Sequence, residues 1–206
     1  MELSVWFGLL ASALFISISP GPGAIFSISQ GTQNGFKRAL IAVVGLQLGL
    51  ISQIVFLLFG LGILIDQFPS VFIVIKILGM AYLVILGLIQ WLKKIEKIST
   101  SNNQLKSTYS PLNSLLQGFF VNLTNIKGTV FFLALIPLFI NLTVLKFSTC
   151  LIFISTLIAV DLLVMTGYVT LAELSKTLLS DPKKILWQNR LTGATLILVG
   201  LVMGTT

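Results

Sequence analysis

The sequence is divided into long apolar runs by short connectors that hold most of its charges, and this pattern decides what the chain can fold into. A helix rises about 1.5 Å per residue, so roughly 20 apolar residues cross the hydrocarbon core of a bilayer. Six runs qualify, the last of them short for a full span: residues 3–30, 39–65, 68–92, 112–140, 147–172 and 191–204. We therefore predict an all-α membrane protein with six transmembrane helices in one domain, residues 1–206.

The composition supports lipid as the solvent of this chain. Of its 206 residues 56% are hydrophobic and only 9% are charged, which is too few polar groups to cover a surface in water. The net charge of +7 lies in the connectors rather than in one patch, so we expect no nucleic-acid partner. With Cys150 as the only cysteine and no histidine, an intrachain disulfide and imidazole chemistry are excluded. We expect no cofactor, metal or catalytic residue.

Basic residues alternate between the connectors. Lys37 and Arg38 follow the first run, and the third and fifth connectors each hold four basic residues, whereas the second and fourth hold only Asp66 and Lys146. Because cytoplasmic loops carry the excess of Lys and Arg, the odd connectors are predicted to be cytoplasmic. Both termini of this multi-pass protein are then outside.

The longest connector divides the chain into two halves. Residues 3–92 form the first half with three runs, residues 93–111 form a cytoplasmic linker, and residues 112–206 form the second half with three runs. Since three is odd, the two halves cross the membrane in opposite directions. We predict two inverted three-helix repeats.

The first run is interrupted by the prolines at positions 20 and 22, within residues 19–23. Proline lacks the helical N–H and disfavours helical geometry in the preceding residue, so the helix should break there. Hydrocarbon cannot satisfy the freed backbone groups, so such a break is expected only where it lines a cavity. We predict that Pro20, Gly21, Pro22 and Gly23 belong to a transport site. A proline kink used only for packing is the alternative.

The fourth run carries a polar counterpart at residues 122–128, which include Asn122, Asn125 and Lys127. Interrupted spans at corresponding positions of two inverted halves usually place the substrate site between them, near the midplane. We therefore add these three residues to the predicted site. The alternative is a polar loop between two shorter membrane segments.

Ionisable side chains lie inside the predicted spans. Asp161 is in the middle of the fifth run, where a charge costs about 2.5 to 3.5 kcal/mol on insertion scales, and Tyr168 shares its helix face. Lys127 and Lys76 also need partners, although Lys76 could extend to the interface. We hypothesise that Asp161 pairs with Lys127 or Lys76 when the site is empty. Substrate groups or protons would exchange with that pair and couple transport to the proton gradient. A structural ion pair is the alternative.

Small residues also recur on one face of the second run. Gly45, Gly49 and Gly60 share a face at 100° per residue. Because small residues let helices approach closely in lipid, we predict that all three lie in helix contacts.

Four segments, in order along the chain, resemble the LysE/RhtB family of amino-acid exporters. They are the Pro-Gly-Pro-Gly motif at 20–23, KILGMAYLVILG at 76–87, residues 117–139 around Asn125-Ile126-Lys127, and residues 189–201 with Asn-Arg-x-x-Gly. The resemblance implies an inner-membrane transporter of about six helices. It would expel amino acids such as lysine, threonine, homoserine or homoserine lactone, as a dimer driven by proton-motive force. The second segment adds Tyr82 to the candidate site.

Two positions depart from the family pattern. Ile126 stands where the family usually has proline, and Leu138 stands where it often has glutamine. Because the first change removes a helix breaker, we expect the fourth helix to be less interrupted here than in relatives.

These observations predict a secondary active exporter of amino acids or closely related small metabolites, and not an enzyme. An intramembrane hydrolase is disfavoured because the chain has no His-Glu-x-x-His, no Gly-x-Ser-x-Gly and no second acid to pair with Asp161. The expected partners are a small-molecule substrate, membrane lipid and a second copy of the chain in a homodimer. The open alternatives are a non-transporting membrane assembly subunit and a carrier of another small solute or ion.

Overall fold

The computed structural model describes residues 1–19, 21–92, 110–142 and 144–174, together with Arg190, Ala194, Ile197 and Leu201. Most of the predicted linker and of the last predicted span lie outside these residues. Within the described ranges the chain forms seven helices and no strand: α1 (Leu3–Ile18), α2 (Pro22–Asn34), α3 (Phe36–Gln67), α4 (Pro69–Leu92), α5 (Pro111–Leu123), α6 (Ile126–Phe139) and α7 (Phe147–Leu174).

The helices include candidate membrane spans, by length and composition. Among the described residues, Phe36–Leu61 of α3 and Phe147–Glu173 of α7 are each long and apolar enough to cross a bilayer. Two bent pairs also qualify if each is one span: α1 with α2, bent by 56°, and α5 with α6, bent by 52°. The prediction of an all-helical fold is confirmed for the described residues. Of the six predicted spans, two are confirmed as candidate spans, or up to four if each bent pair is one span.

The first break lies where the prolines predicted it. Helix α1 ends at Ile18, and Ser19 and Gly21 have extended backbones before α2 begins at Pro22. Proline is favoured at this first helical position because its φ angle is already helical. The N–H that proline lacks would have no partner within the helix at this position. The predicted interruption is confirmed.

The second break forms without a proline. Helix α5 ends at Leu123 and α6 begins at Ile126, after Asn125, whose side-chain oxygen accepts a hydrogen bond from the Gly128 N–H at 3.3 Å. Asparagine at this position caps the new helix and competes with continuation of the old one. The interruption predicted for the fourth run is confirmed, and a smaller interruption than in relatives stays a prediction.

Helices α3 and α5 touch through their backbones. A Cβ at Gly45 would collide with the Leu115 carbonyl oxygen, and one at Gly49 would collide with the Phe119 carbonyl oxygen. The predicted helix contacts are confirmed at these two glycines. The prediction is wrong for Gly60, which is exposed and has no described atom within 4 Å of an added Cβ.

The remaining packing brings both breaks to one region. Helix α7 packs on α1, α2 and α3, while α6 packs on α3 and α4. Buried apolar side chains form two clusters, one containing Leu9, Phe131 and Phe153 and the other containing Val43 and Val169. The breaks and the middle of α7 therefore lie close together inside the bundle.

Candidate functional site

A cavity of about 50 Å³ lies where the two breaks meet α7. Helices α1, α2, α3, α5, α6 and α7 all contribute to its lining. Six of the residues predicted from the sequence are in that lining: Gly21, Gly23, Asn122, Asn125, Lys127 and Asp161. The structure thus places both interruptions and the intramembrane carboxylate on one cavity.

The carboxylate of Asp161 is held by two neutral donors. Its Oδ1 accepts a hydrogen bond from the Ser17 hydroxyl at 3.0 Å, and its Oδ2 accepts one from the Gln47 Nε2 at 2.8 Å. An ionised carboxylate offers about four lone-pair sites, so roughly half of its acceptor capacity remains. Ser17 on α1 and Gln47 on α3 therefore orient the carboxylate without neutralising it.

The ammonium group of Lys127 crosses from α6 to the end of α1. It donates to the backbone carbonyl of Ser19 at 3.0 Å and also to the Ser19 hydroxyl. Lys127 passes next to Gly21, where an added Cβ would lie 3.4 Å from its Nζ, an ordinary van der Waals contact. Two of the three ammonium donors thus bind the first break, and one is left for another partner.

Asp161 and Lys127 are not in direct contact. They interact electrostatically, but no nitrogen–oxygen distance between them is 4.0 Å or less. The hypothesis of a direct Asp161–Lys127 ion pair is therefore corrected, because neutral partners occupy the near positions around each charge. The hypothesised alternative with Lys76 lies outside the described residues, since only the backbone of Lys76 on α4 is described.

The N-terminus of α2 opens onto the cavity without a side-chain cap. Gly21 is its N-cap residue and has no side chain to accept a hydrogen bond, while Gly23 and Ala24 of the first turn line the cavity. The first N–H groups of a helix have no partner within the helix and carry a partial positive charge. This end of α2 can therefore bind an anionic group.

At the second break, side-chain amides bind the polar groups at the helix ends. Gln53 of α3 donates from Nε2 to the Asn125 carbonyl at 3.2 Å and to the Thr129 hydroxyl at 2.6 Å. Asn122 donates from Nδ2 to the Leu46 carbonyl at 2.9 Å. These contacts fix the ends of α5 and α6 against α3.

Five predicted residues are not part of the described cavity lining, and one of them is Lys76, whose side chain lies outside the described residues. The Tyr168 hydroxyl donates to the Ile18 carbonyl at 2.6 Å, so Tyr168 supports the end of α1 rather than the cavity wall. Pro22 is exposed at the start of α2. Pro20 lies outside the described residues, and so does the side chain of Tyr82 on α4.

Sequence reasoning missed three residues of the site. Ser17 and Ser19 flank the proline motif and line the cavity, and Gln47 is 7% exposed within the apolar helix α3. A polar residue at this depth is itself a signal for a site, since it needs a partner in lipid. The small size of serine and the neutrality of glutamine made this signal weaker than that of Asp161.

Comparison with known proteins agrees with a membrane translocator. The family model described as "LysE type translocator" matches residues 14–206. The chain belongs to this family. It is therefore a transporter and not an enzyme, as its sequence predicted.

Several relatives match along most of their length. The homoserine/homoserine lactone efflux protein of Salmonella typhimurium is 36% identical over 205 residues, covering 100% of this chain and 98% of the relative. An uncharacterized membrane protein of Vibrio cholerae is 34% identical over 205 residues, with the same coverage. The leucine efflux protein of Klebsiella pneumoniae is 30% identical over 135 residues, 64% of this chain and 61% of the relative. No solved structure matches the chain.

Proposed function

We propose that this protein exports small amino acids, with homoserine as the first candidate, across the bacterial inner membrane. The observation that carries the proposal is one cavity that presents a carboxylate, an ammonium group and an uncapped helix N-terminus. An amino acid carries the complementary charges on one carbon atom. The names of the Salmonella and Klebsiella relatives support efflux of such molecules.

Each pole of the substrate has a partner of opposite charge. The substrate ammonium group binds the free acceptor positions of Asp161, and the substrate carboxylate binds the N–H groups at the start of α2. The remaining donor of Lys127 strengthens the second contact as a charge-assisted hydrogen bond.

The size of the cavity implies that the helices move during transport. A volume of about 50 Å³ has room for a few water molecules. An amino acid needs more space, so the helices that line the cavity must move apart to admit it. Opening to one side at a time is the behaviour expected of a secondary transporter.

We also propose that Asp161 couples export to the proton gradient. Protonation removes the charge that makes a carboxylate costly inside a membrane, so Asp161 can exchange a proton for the substrate ammonium group. In vesicles with an imposed proton gradient, Asp161→Asn should insert normally and show no gradient-driven export. Normal gradient-driven export by this variant would exclude the coupling role.

The proposed architecture is six spans in two inverted halves, residues 3–92 and 112–206. Its support is that each half begins with a bent helix pair followed by a long helix, α3 or α7. The contacts between the halves also correspond, because the long helix of each half packs on the first helix of the other half. These pairs are α3 with α5 and α7 with α1. Reporter fusions should place both termini outside and residues 93–111 in the cytoplasm. We further propose a homodimer in the surrounding lipid, which cross-linking in membranes would detect.

An export assay tests the proposed function. The protein is overproduced in a bacterial host loaded with homoserine, leucine, lysine or threonine, and extracellular accumulation is measured. We expect homoserine to accumulate faster than with the empty vector, and Asp161→Asn to match the empty vector. Accumulation equal to that of the empty vector for every amino acid, from protein present in the membrane, would refute amino-acid export.

A further inference from the structure

Gln47 of α3 contacts the carboxylate of Asp161 through its side-chain amide. We propose that Gln47 is a specificity-determining residue whose amide oxygen accepts one N–H of a primary ammonium group, while Asp161 accepts the others. This inference rests on the proposed function of the cavity, and it specifies primary amines as the substrate class.

The first evidence is an unpaired atom. Gln47 is 7% exposed, its Nε2 donates to Oδ2 of Asp161, and its Oε1 is buried with no hydrogen-bond partner among the described residues. Buried carbonyl oxygens are nearly always paired, so an unpaired one needs an explanation. A ligand that carries an extra N–H donor would provide the missing partner.

The geometry allows one nitrogen atom to serve both residues. The oxygen and nitrogen atoms of an amide are roughly 2.3 Å apart. With Nε2 2.8 Å from Oδ2, the Gln47 Oε1 lies no more than about 5 Å from that carboxylate oxygen. An ammonium nitrogen can accordingly reach both oxygens, since each hydrogen bond spans about 2.9 Å. Its three donors match Oδ1, Oδ2 and Oε1.

The location of Gln47 in the helix is also suitable. Leu50 lies three residues further along α3, on a neighbouring position of the same face, and it lines the cavity. Asp161, which Gln47 contacts, lines it as well. Gln47 itself does not line the cavity, so the inference requires that the widening needed to admit an amino acid also exposes its Oε1.

A second buried amide shows what is specific to Gln47. Gln53 also has an unpaired Oε1, but its Nε2 binds Asn125 and Thr129 at the second break and not a carboxylate. Neither of these described partners of Gln53 carries a negative charge that would attract a cation. Only Gln47 combines an unpaired oxygen with contact to Asp161 among the residues described.

The test compares two substrates in two proteins. Transport of L-homoserine and N-methyl-L-homoserine is measured in proteoliposomes containing the wild type or Gln47→Met. Methylation replaces one N–H, so the wild type should prefer homoserine by about tenfold in kcat/KM, the effect of one hydrogen bond to a charged group. In Gln47→Met the preference should fall to about twofold or less, because methionine has a similar length and no acceptor.

Gln30→Met is the matched control. Gln30 is also 7% exposed, but its Oε1 accepts a hydrogen bond from the Asn34 Nδ2 at 2.7 Å, and the described side-chain donors to Asp161 are Ser17 and Gln47. This variant should keep the tenfold preference. If Gln47→Met does not reach the membrane, Gln47→Asn replaces it, and the preference for homoserine should again fall to about twofold or less. The shorter asparagine side chain cannot contact Asp161 and the substrate ammonium group together.

The outcomes separate the inference from the proposed function. A wild-type protein that transports neither substrate overturns homoserine as the substrate and the role of Gln47 in selecting it. Wild-type transport of homoserine with the same preference in wild type and Gln47 variants overturns the role of Gln47 alone, since a merely structural glutamine would lower both rates equally. Loss of the preference only in the Gln47 variants supports the inference.

Discussion

The two helix breaks differ in what satisfies their freed backbone groups. At the second break, the Asn125 side chain caps α6 and the Gln53 amide binds the Asn125 carbonyl. At the first break, Gly21 gives α2 no side-chain cap, and the charged Lys127 binds the Ser19 carbonyl. One break is thus closed by neutral side chains, whereas the other keeps donors open to the cavity.

This difference assigns the two breaks different tasks. A break that is satisfied by its own side chains can hold a fixed bend, which is a structural role. A break with open N–H groups beside a lysine and near a carboxylate has unmet polar capacity inside a membrane, where only water or a solute can meet it. We therefore place substrate binding mainly at the first break.

The largest expected effect concerns the support of the second break. In Gly49→Ala, the new Cβ collides with the Phe119 carbonyl oxygen, and α5 cannot stay against α3. We expect little or no folded protein in size-exclusion chromatography of detergent-solubilised membranes. Gly60→Ala is the control and should give the wild-type yield, since no described atom is within 4 Å of its Cβ. Equal yields of the two variants would contradict a rigid α3–α5 pair.

Loss of the lysine should affect transport more than folding. Lys127→Met removes the ammonium donor that we assign to the substrate carboxylate, a charge-assisted hydrogen bond worth up to about 3 kcal/mol, so we expect an export rate lower by up to about 100-fold. The measurement is initial homoserine efflux, normalised to the protein in the membrane. Lys146→Met, in an exposed connector, should export at the wild-type rate. A normal rate for Lys127→Met would show that the first break needs no charge.

A serine cap at the first break should make it resemble the second. In Gly21→Ser, the hydroxyl oxygen can accept the N–H groups of α2 that we assign to the substrate carboxylate. We expect homoserine export to fall about tenfold with no loss of thermal stability, because one hydrogen bond to a charged group is replaced. Unchanged export with a higher melting temperature would mean that the end of α2 does not bind substrate.

The smallest effect is expected from removing the cap at the second break. Asn125→Ala deletes the acceptor of the Gly128 N–H and should lower the free energy of unfolding by about 1 kcal/mol. Thermal denaturation of the purified protein measures this change, and Asn125→Ser should restore stability by keeping a capping oxygen. Export by Asn125→Ala should fall less than export by Gly21→Ser. The reverse order would exchange the tasks of the two breaks.

The sequence predicted the positions of both breaks because their causes are local. Proline cannot continue a helix, and an asparagine cap depends only on the following turn. The convergence of Lys127 and Asp161 on one cavity also followed from their depth in apolar runs. Ile126 does not prevent the second break, because the preceding asparagine caps a new helix.

Contacts between distant helices could not be predicted in the same way. Lys127 binds Ser19 rather than Asp161, and the hydroxyl of Tyr168 binds the Ile18 carbonyl rather than the cavity. Both side chains are on the predicted helices, but each takes an acceptor freed at the end of α1. A sequence shows which groups need partners, and only the tertiary packing shows which partners are within reach.

Equilibrium binding of radiolabelled homoserine to the purified protein tests the role of the cavity most directly. The wild type should bind one homoserine per chain with a saturable isotherm, and Asp161→Asn should lose that binding while remaining folded and monodisperse. Saturable binding of equal affinity by Asp161→Asn would show that homoserine is held elsewhere, and that the carboxylate between the breaks does not recognise it.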